Sequence, residues 1–109
     1  MDMELRRTTI GSRHVLVVTG DVDLVSLPRF NDALVRLVTE TSGTVAAVDI
    51  DGAGHIEDAA LGLLLGAAGR ARSSDGDLVV VATESRLRAR LSNTGFDRAV
   101  TVAHSITGS

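Results

Sequence analysis

The chain has 109 residues, 44% of them hydrophobic, and a net charge of −3. That length suits one domain, 1–109, able to bury roughly two-thirds of its unfolded surface without a metal or disulfide staple. There is no cysteine, which excludes disulfides, thiol nucleophiles and thiolate metal sites.

His14, His55 and His104 lie far apart in sequence, so neither a metal site nor a cofactor is expected. The acidic balance argues against a nucleic-acid binder, which would show a basic patch. Phe30 and Phe96 are the only aromatics, too few for a base-stacking platform. Met1 to Thr9 has no apolar signal-peptide core, and no apolar run approaches the ~20 residues of a membrane span. A soluble, cytoplasmic protein with no membrane insertion is expected.

Leu5 to Ile10 reads as a first strand, Gly11-Ser12-Arg13 as a turn and His14 to Thr19 as a second, β-branched strand. So short a connection predicts a hairpin. Gly20-Asp21-Val22-Asp23 closes it. Ser26 is the N-cap candidate of a helix that carries Pro28 in its first turn. Leu27, Phe30, Leu34, Leu37 and Val38 recur at helical spacing, and Ser42-Gly43 stops the helix.

Val45 to Ile50 is a buried strand, and Asp51 to His55 reads as a flexible, glycine-containing loop. A second helix is expected from about Asp58 to Ala71. It is apolar nearly all round, so it is buried on more than one side or one face waits for a partner. After the Asp75-Gly76 turn come a strand over Leu78 to Ala82 and an arginine-rich helix over Glu84 to Leu91. Asn93-Thr94-Gly95 then stops that helix before a last strand over Ala99 to Ala103. Residues 105–109 read as a loose tail.

The predicted class is α/β, in the order ββαβαβαβ. The sheet is mixed and mostly parallel at its centre, with helices on one face and an edge hairpin. The expected core is Val15, Val17, Phe30, Leu34, Leu37, Val48, Ile50, Leu61, Leu64, Leu65, Leu78, Val80, Leu87 and Leu91.

The sequence contains no nucleophile elbow, phosphate-binding loop or metal-helix motif. Asp21, Asp23, Glu57 and Asp58 offer carboxylates, but nothing in the sequence supplies an oriented pocket for acid–base work. A non-enzymatic protein is expected.

Three segments carry a family resemblance. Gly20-Asp21-Val22-Asp23, followed by Ser26 and a helix, is one. Val48-Asp49-Ile50, followed by Ile56-Glu57-Asp58-Ala59-Ala60-Leu61-Gly62, is the second. Asp75-Gly76 before Leu78-Val79-Val80, with the later Leu91-Ser92-Asn93-Thr94-Gly95-Phe96, is the third. In this order and spacing the chain resembles a STAS domain of the anti-sigma factor antagonist type. The resemblance implies a protein-binding regulator, not a catalyst. Its partner would be an anti-sigma factor that is also a serine kinase; binding it frees a sigma factor, and phosphorylation of the antagonist ends the binding.

The resemblance places Ala59 on the family's phosphorylated serine. Ala60 then replaces a glycine, Asp58 a serine and Glu57 an aspartate. Without a hydroxyl at Ala59, the usual switch is expected not to operate. Asp58 and Glu57 read either as ordinary acidic residues at a helix start or as a built-in charge that partly imitates phosphoserine. The implied partner surface comprises Asp23, Ser26, Glu57, Asp58, Ala59 and Ala60. Asp23 could equally cap the turn before the first helix, Ser26 reads as a cap rather than a phosphosite, and Arg86, Arg88 and Arg90 read as a solvated face. A homodimer is left open. The alternative is a small STAS subunit of an ABC-type lipid transport complex, bound to its ATPase.

Overall fold

In the computed structural model, which describes residues 1–105, β1 (Glu4–Ile10) and β2 (Arg13–Val22) form the expected antiparallel hairpin, with Ile10 opposite Arg13. Gly11 turns it at φ +62°, a left-handed conformation that glycine adopts without steric cost. There follow α1 (Leu27–Glu40), β3 (Val45–Ile56), α2 (Asp58–Ser73) and β4 (Asp77–Val81). Then come α3 (Ser85–Asn93), a short α4 (Phe96–Ala99) and β5 (Thr101–Ala103). The strands lie side by side in chain order, and β2 through β5 run parallel.

Strand alternation sorts the apolar residues onto two faces. Leu16, Val18, Val48, Ile50, Leu78 and Val80 share one core with Phe30, Leu34 and Leu37 of α1, Leu61 and Leu64 of α2, Leu91 and Phe96. Val15, Ala47, Val79 and Val81 form a smaller cluster that includes no helical residue. The helices therefore cover one face, as expected.

Four expectations are corrected. Asp51 to His55 is not a loop: β3 continues to Ile56, pairing Gly52 with Thr19 and Ala53 with Gly20. Its glycines answer close approach. A Cβ on Gly52 would lie 2.7 Å from the Thr19 side chain, and one on Gly54 would lie 2.7 Å from Asp21 Oδ1. The segment after Gly95 begins as α4, which delays the last strand to Thr101. Leu65 is 39% exposed and not core. Val17 and Leu87 only pack against the clusters as half-buried residues. The expected tail lies, apart from Ser105, outside the described residues.

No helix among the described residues is long and apolar enough to cross a membrane.

Candidate functional site

The C-terminal ends of β2 and β3 lie together, the position where open α/β sheets commonly place their working residues. The Glu57 N–H donates to the Val22 carbonyl at 2.9 Å. That bond sets the turn leaving β2 beside the start of α2.

The turn is locked by a reciprocal pair. The Asp23 N–H donates to Ser26 Oγ at 2.9 Å, and the Ser26 N–H donates to Asp23 Oδ1 at 3.0 Å. The reciprocal pattern is that of a capping box set one turn ahead of α1, and it satisfies the Asp23 and Ser26 N–H groups. Ser26 was expected to cap with its own side chain. It holds the N-cap position, but its hydroxyl makes no bond into α1. Oγ instead closes the turn, also donating within reach of the Asp23 carbonyl at 3.1 Å. Ser26 is buried. Asp23 caps the turn ahead of α1, accepting the Ser26 N–H, and makes no bond into the helix itself.

Leu24 and Val25, between these two residues, are 67% and 89% exposed. Sequence reasoning passed over them. The available signal was two adjacent apolar residues inside a turn, where no core can receive both.

Asp21 fastens the same end of the sheet. Its Oδ2 pairs with the Met1 amine at 2.9 Å and its Oδ1 accepts the His55 N–H at 3.0 Å. The hydrogen bond from the amine, then that from His55, hold the Asp21 carboxyl below the usual carboxylate range. The hydrogen bond to Asp21 raises the Met1 amine in turn.

The start of α2 is built differently. Glu57 is its N-cap in an extended conformation, yet its carboxylate caps nothing; it lies 3.2 Å from His55 Nε2. Asp58 occupies the first turn, where a negative charge meets the positive end of the helix dipole. Its side chain is 89% exposed and accepts a 2.7 Å hydrogen bond from Arg90 Nη2 of α3. Ala59 is exposed. Ala60, the third residue of α2, is fully buried in the core beneath, so the expectation that it faces a partner is corrected: its side chain turns in toward the core.

The arginine cluster is also not simply solvated. Arg90 straps α3 to the start of α2, and Arg88 Nη1 donates to the Ala82 carbonyl at 2.8 Å. Asp21, Asp23, Glu57 and Asp58 bond to other groups rather than to one another. They do not form the hydrogen-bonded carboxylate pair that acid–base chemistry would use. No group of three or more metal-ligating side chains gathers among the described residues.

The fold is similar to that of solved anti-sigma factor antagonists. One from Mycobacterium paratuberculosis superposes with a TM-score of 0.84 at 18% identity, covering 97% of this chain and 89% of that one. A putative anti-sigma factor antagonist from Thermotoga maritima gives 0.80 at 15%, covering 94% and 88%. The anti-sigma factor antagonist SpoIIAA in its unphosphorylated form gives 0.72 at 12%, covering 95% and 90%. At these identities the likeness is one of fold. The family model described as "Mlab, STAS domain" matches residues 6–103, and the chain belongs to the STAS domain family. No curated protein sequence matches it.

Proposed function

We propose that this protein is a regulatory binding module of the anti-sigma factor antagonist kind. It docks on a kinase-like anti-sigma factor and thereby releases a sigma factor. The observation that carries this reading is the Glu57–Val22 bond, which sets two exposed segments side by side. The turn contributes Leu24 and Val25, and the helix start contributes Asp58 and Ala59. Apolar side chains that lose water on contact, flanked by carboxylates, suit a partner that is apolar at its centre and basic at its rim. Membership of the STAS family and the shared fold of solved antagonists support the same reading.

Ala59 stands at the exposed position that the family resemblance assigns to phosphorylation, and it has no acceptor oxygen. Control by phosphate at that residue is therefore absent. Nor does Asp58 replace it well: one carboxylate has fewer charges and oxygens than a phosphate, and Arg90 already engages it. The module binds constitutively, and any control acts through its partner or its abundance.

The test is affinity capture from the native host, mass spectrometry of the bound protein and calorimetric titration of that protein against the wild type and Asp58→Arg. A kinase-like anti-sigma factor whose affinity falls with the charge reversal supports the reading. A transporter ATPase as the specific partner overturns it. Intact-mass measurement after incubation with ATP and the captured partner should show no phosphate on residue 59's peptide or on Ser26, whose hydroxyl is buried and engaged.

A further inference from the structure

The long edge of the sheet starts beside the docking end, where Glu4 pairs with Thr19, and runs from there to Ile10. β1 spans seven residues and, among the described residues, pairs on one side only, with β2. An unpaired strand edge is a template for another strand, and proteins usually blunt it with charge or cover. Here the edge is flanked on both faces by depressions. On the helical side a groove of about 570 Å³ lies between β1 and α1, floored by Leu5, Leu16 and Ala33, with Arg7, Arg29 and Arg36 on its walls. On the other side a depression of about 490 Å³ is bordered by Glu4, Leu5, Arg6, Val17 and Thr19, its one carboxylate being that of Glu4. Arg29 borders both hollows, which puts its side chain at the rim of the strand.

An extended peptide sends alternate side chains to opposite faces. Two hollows on either side of one free edge are what an added strand requires: main-chain pairing supplies affinity and the hollows receive alternate side chains. The charge selects the occupant. Arg7 is held by Glu40 at 2.8 Å. Arg29 and Arg36 are exposed on α1, and Asp32 is the one other carboxylate lining the groove.

We propose that the free edge of β1 binds an extended acidic segment of a partner protein as an additional strand, its carboxylates meeting Arg29 and Arg36. A second copy of this chain is the poorer occupant, because it brings the same arginines to the seam and like charges across paired strands repel.

The probe is a short capped peptide alternating glutamate with valine, with a lysine–valine peptide as control. ¹⁵N-correlation NMR of the full chain should show perturbed and exchange-protected amides within Glu4–Ile10 on adding the acidic peptide and none with the basic one. The double variant Arg29→Ala, Arg36→Ala should weaken binding roughly tenfold, with an unchanged melting curve because both side chains are exposed. Failure of the acidic peptide to bind overturns the proposal. So does equal binding of the basic peptide, equal affinity of the double variant, or perturbation confined to residues outside β1 and α1. Sedimentation showing a dimer with β1 amides already protected assigns the edge to a second copy and also overturns it. None of these readouts involves Asp58 or Ala59, so the docking site stands or falls separately.

Discussion

Two helix starts sit side by side at the ends of β2 and β3; neither N-cap side chain bonds into its own helix, and they differ in how the residues ahead of them are held. Before α1, Asp23 and Ser26 spend their polar groups on each other, and the serine is buried. At α2, Glu57 leaves the helix uncapped by side chain and Asp58 and Ala59 stand in solvent. A third start shows what is available to this chain: Glu84 accepts from both the Arg86 and Leu87 N–H groups at the head of α3. The starts of α1 and α2 both forgo that cap, a stabilisation typically worth about 1 kcal/mol, and only α1 has a locked turn ahead of it. The locked turn ahead of α1 carries the exposed Leu24 and Val25.

The contrast can be broken at its foundation, its surface or its polar details. The largest effect on stability should come from Leu64→Ala, since Leu64 is fully buried beneath α2 and such truncations cost about 2–5 kcal/mol. Denaturant titration checks it, and a midpoint equal to the parent's would show that α2 is not anchored as described. Next in size, Ser26→Ala and Asp23→Ala should each cost about 1–2 kcal/mol, the scale of a lost cap. Comparable losses in thermal melts are expected because the two residues serve one reciprocal pair, and the double mutant should cost less than the sum. Ala59→Ser should change stability by about 1 kcal/mol or less, because the site is exposed. It would restore an acceptor hydroxyl for a kinase to use, read by intact mass.

The smallest effect is the pH dependence of the Asp21 tether. Its folded carboxyl is depressed, so its contribution is present above the ordinary aspartate range and is lost as pH falls through the lowered folded value. The Met1 amine is raised, so its contribution is present below the ordinary amine range and fades as pH rises through the folded value. Both groups are solvent-accessible, and melts across pH should show only slight losses at the two extremes. Asp21→Asn should flatten both.

Much of this was legible in the sequence where periodicity speaks for itself. The β-branched run at Val15–Val18 and the helical spacing of Phe30, Leu34 and Leu37 identified strand, helix and inward face together. What was illegible depended on neighbours. Gly52 and Gly54 look like loop glycines until the strand alongside is known to bring Thr19 and Asp21 within 2.7 Å of where their Cβ atoms would be. Leu65 could not be told from Leu64, because a helix apolar on every side has no period to mark its solvent face. At the site, the residue types at Asp23, Asp58 and Ala59 were readable from the motif. Their roles were not: that Asp23 caps while Asp58 is strapped by Arg90, thirty-two positions away, is set by tertiary contact.

The central claim, that the uncapped start of α2 is a docking surface, is tested most directly by titrating Asp58→Arg with the captured anti-sigma partner beside a thermal melt of the same variant. Reversal places a cation where a basic rim should dock, beside Arg90, and should weaken binding by several kcal/mol while the melting temperature changes little. An unchanged affinity in a normally folded variant would contradict the claim and leave Asp58 as an ordinary helix-start residue tied to Arg90.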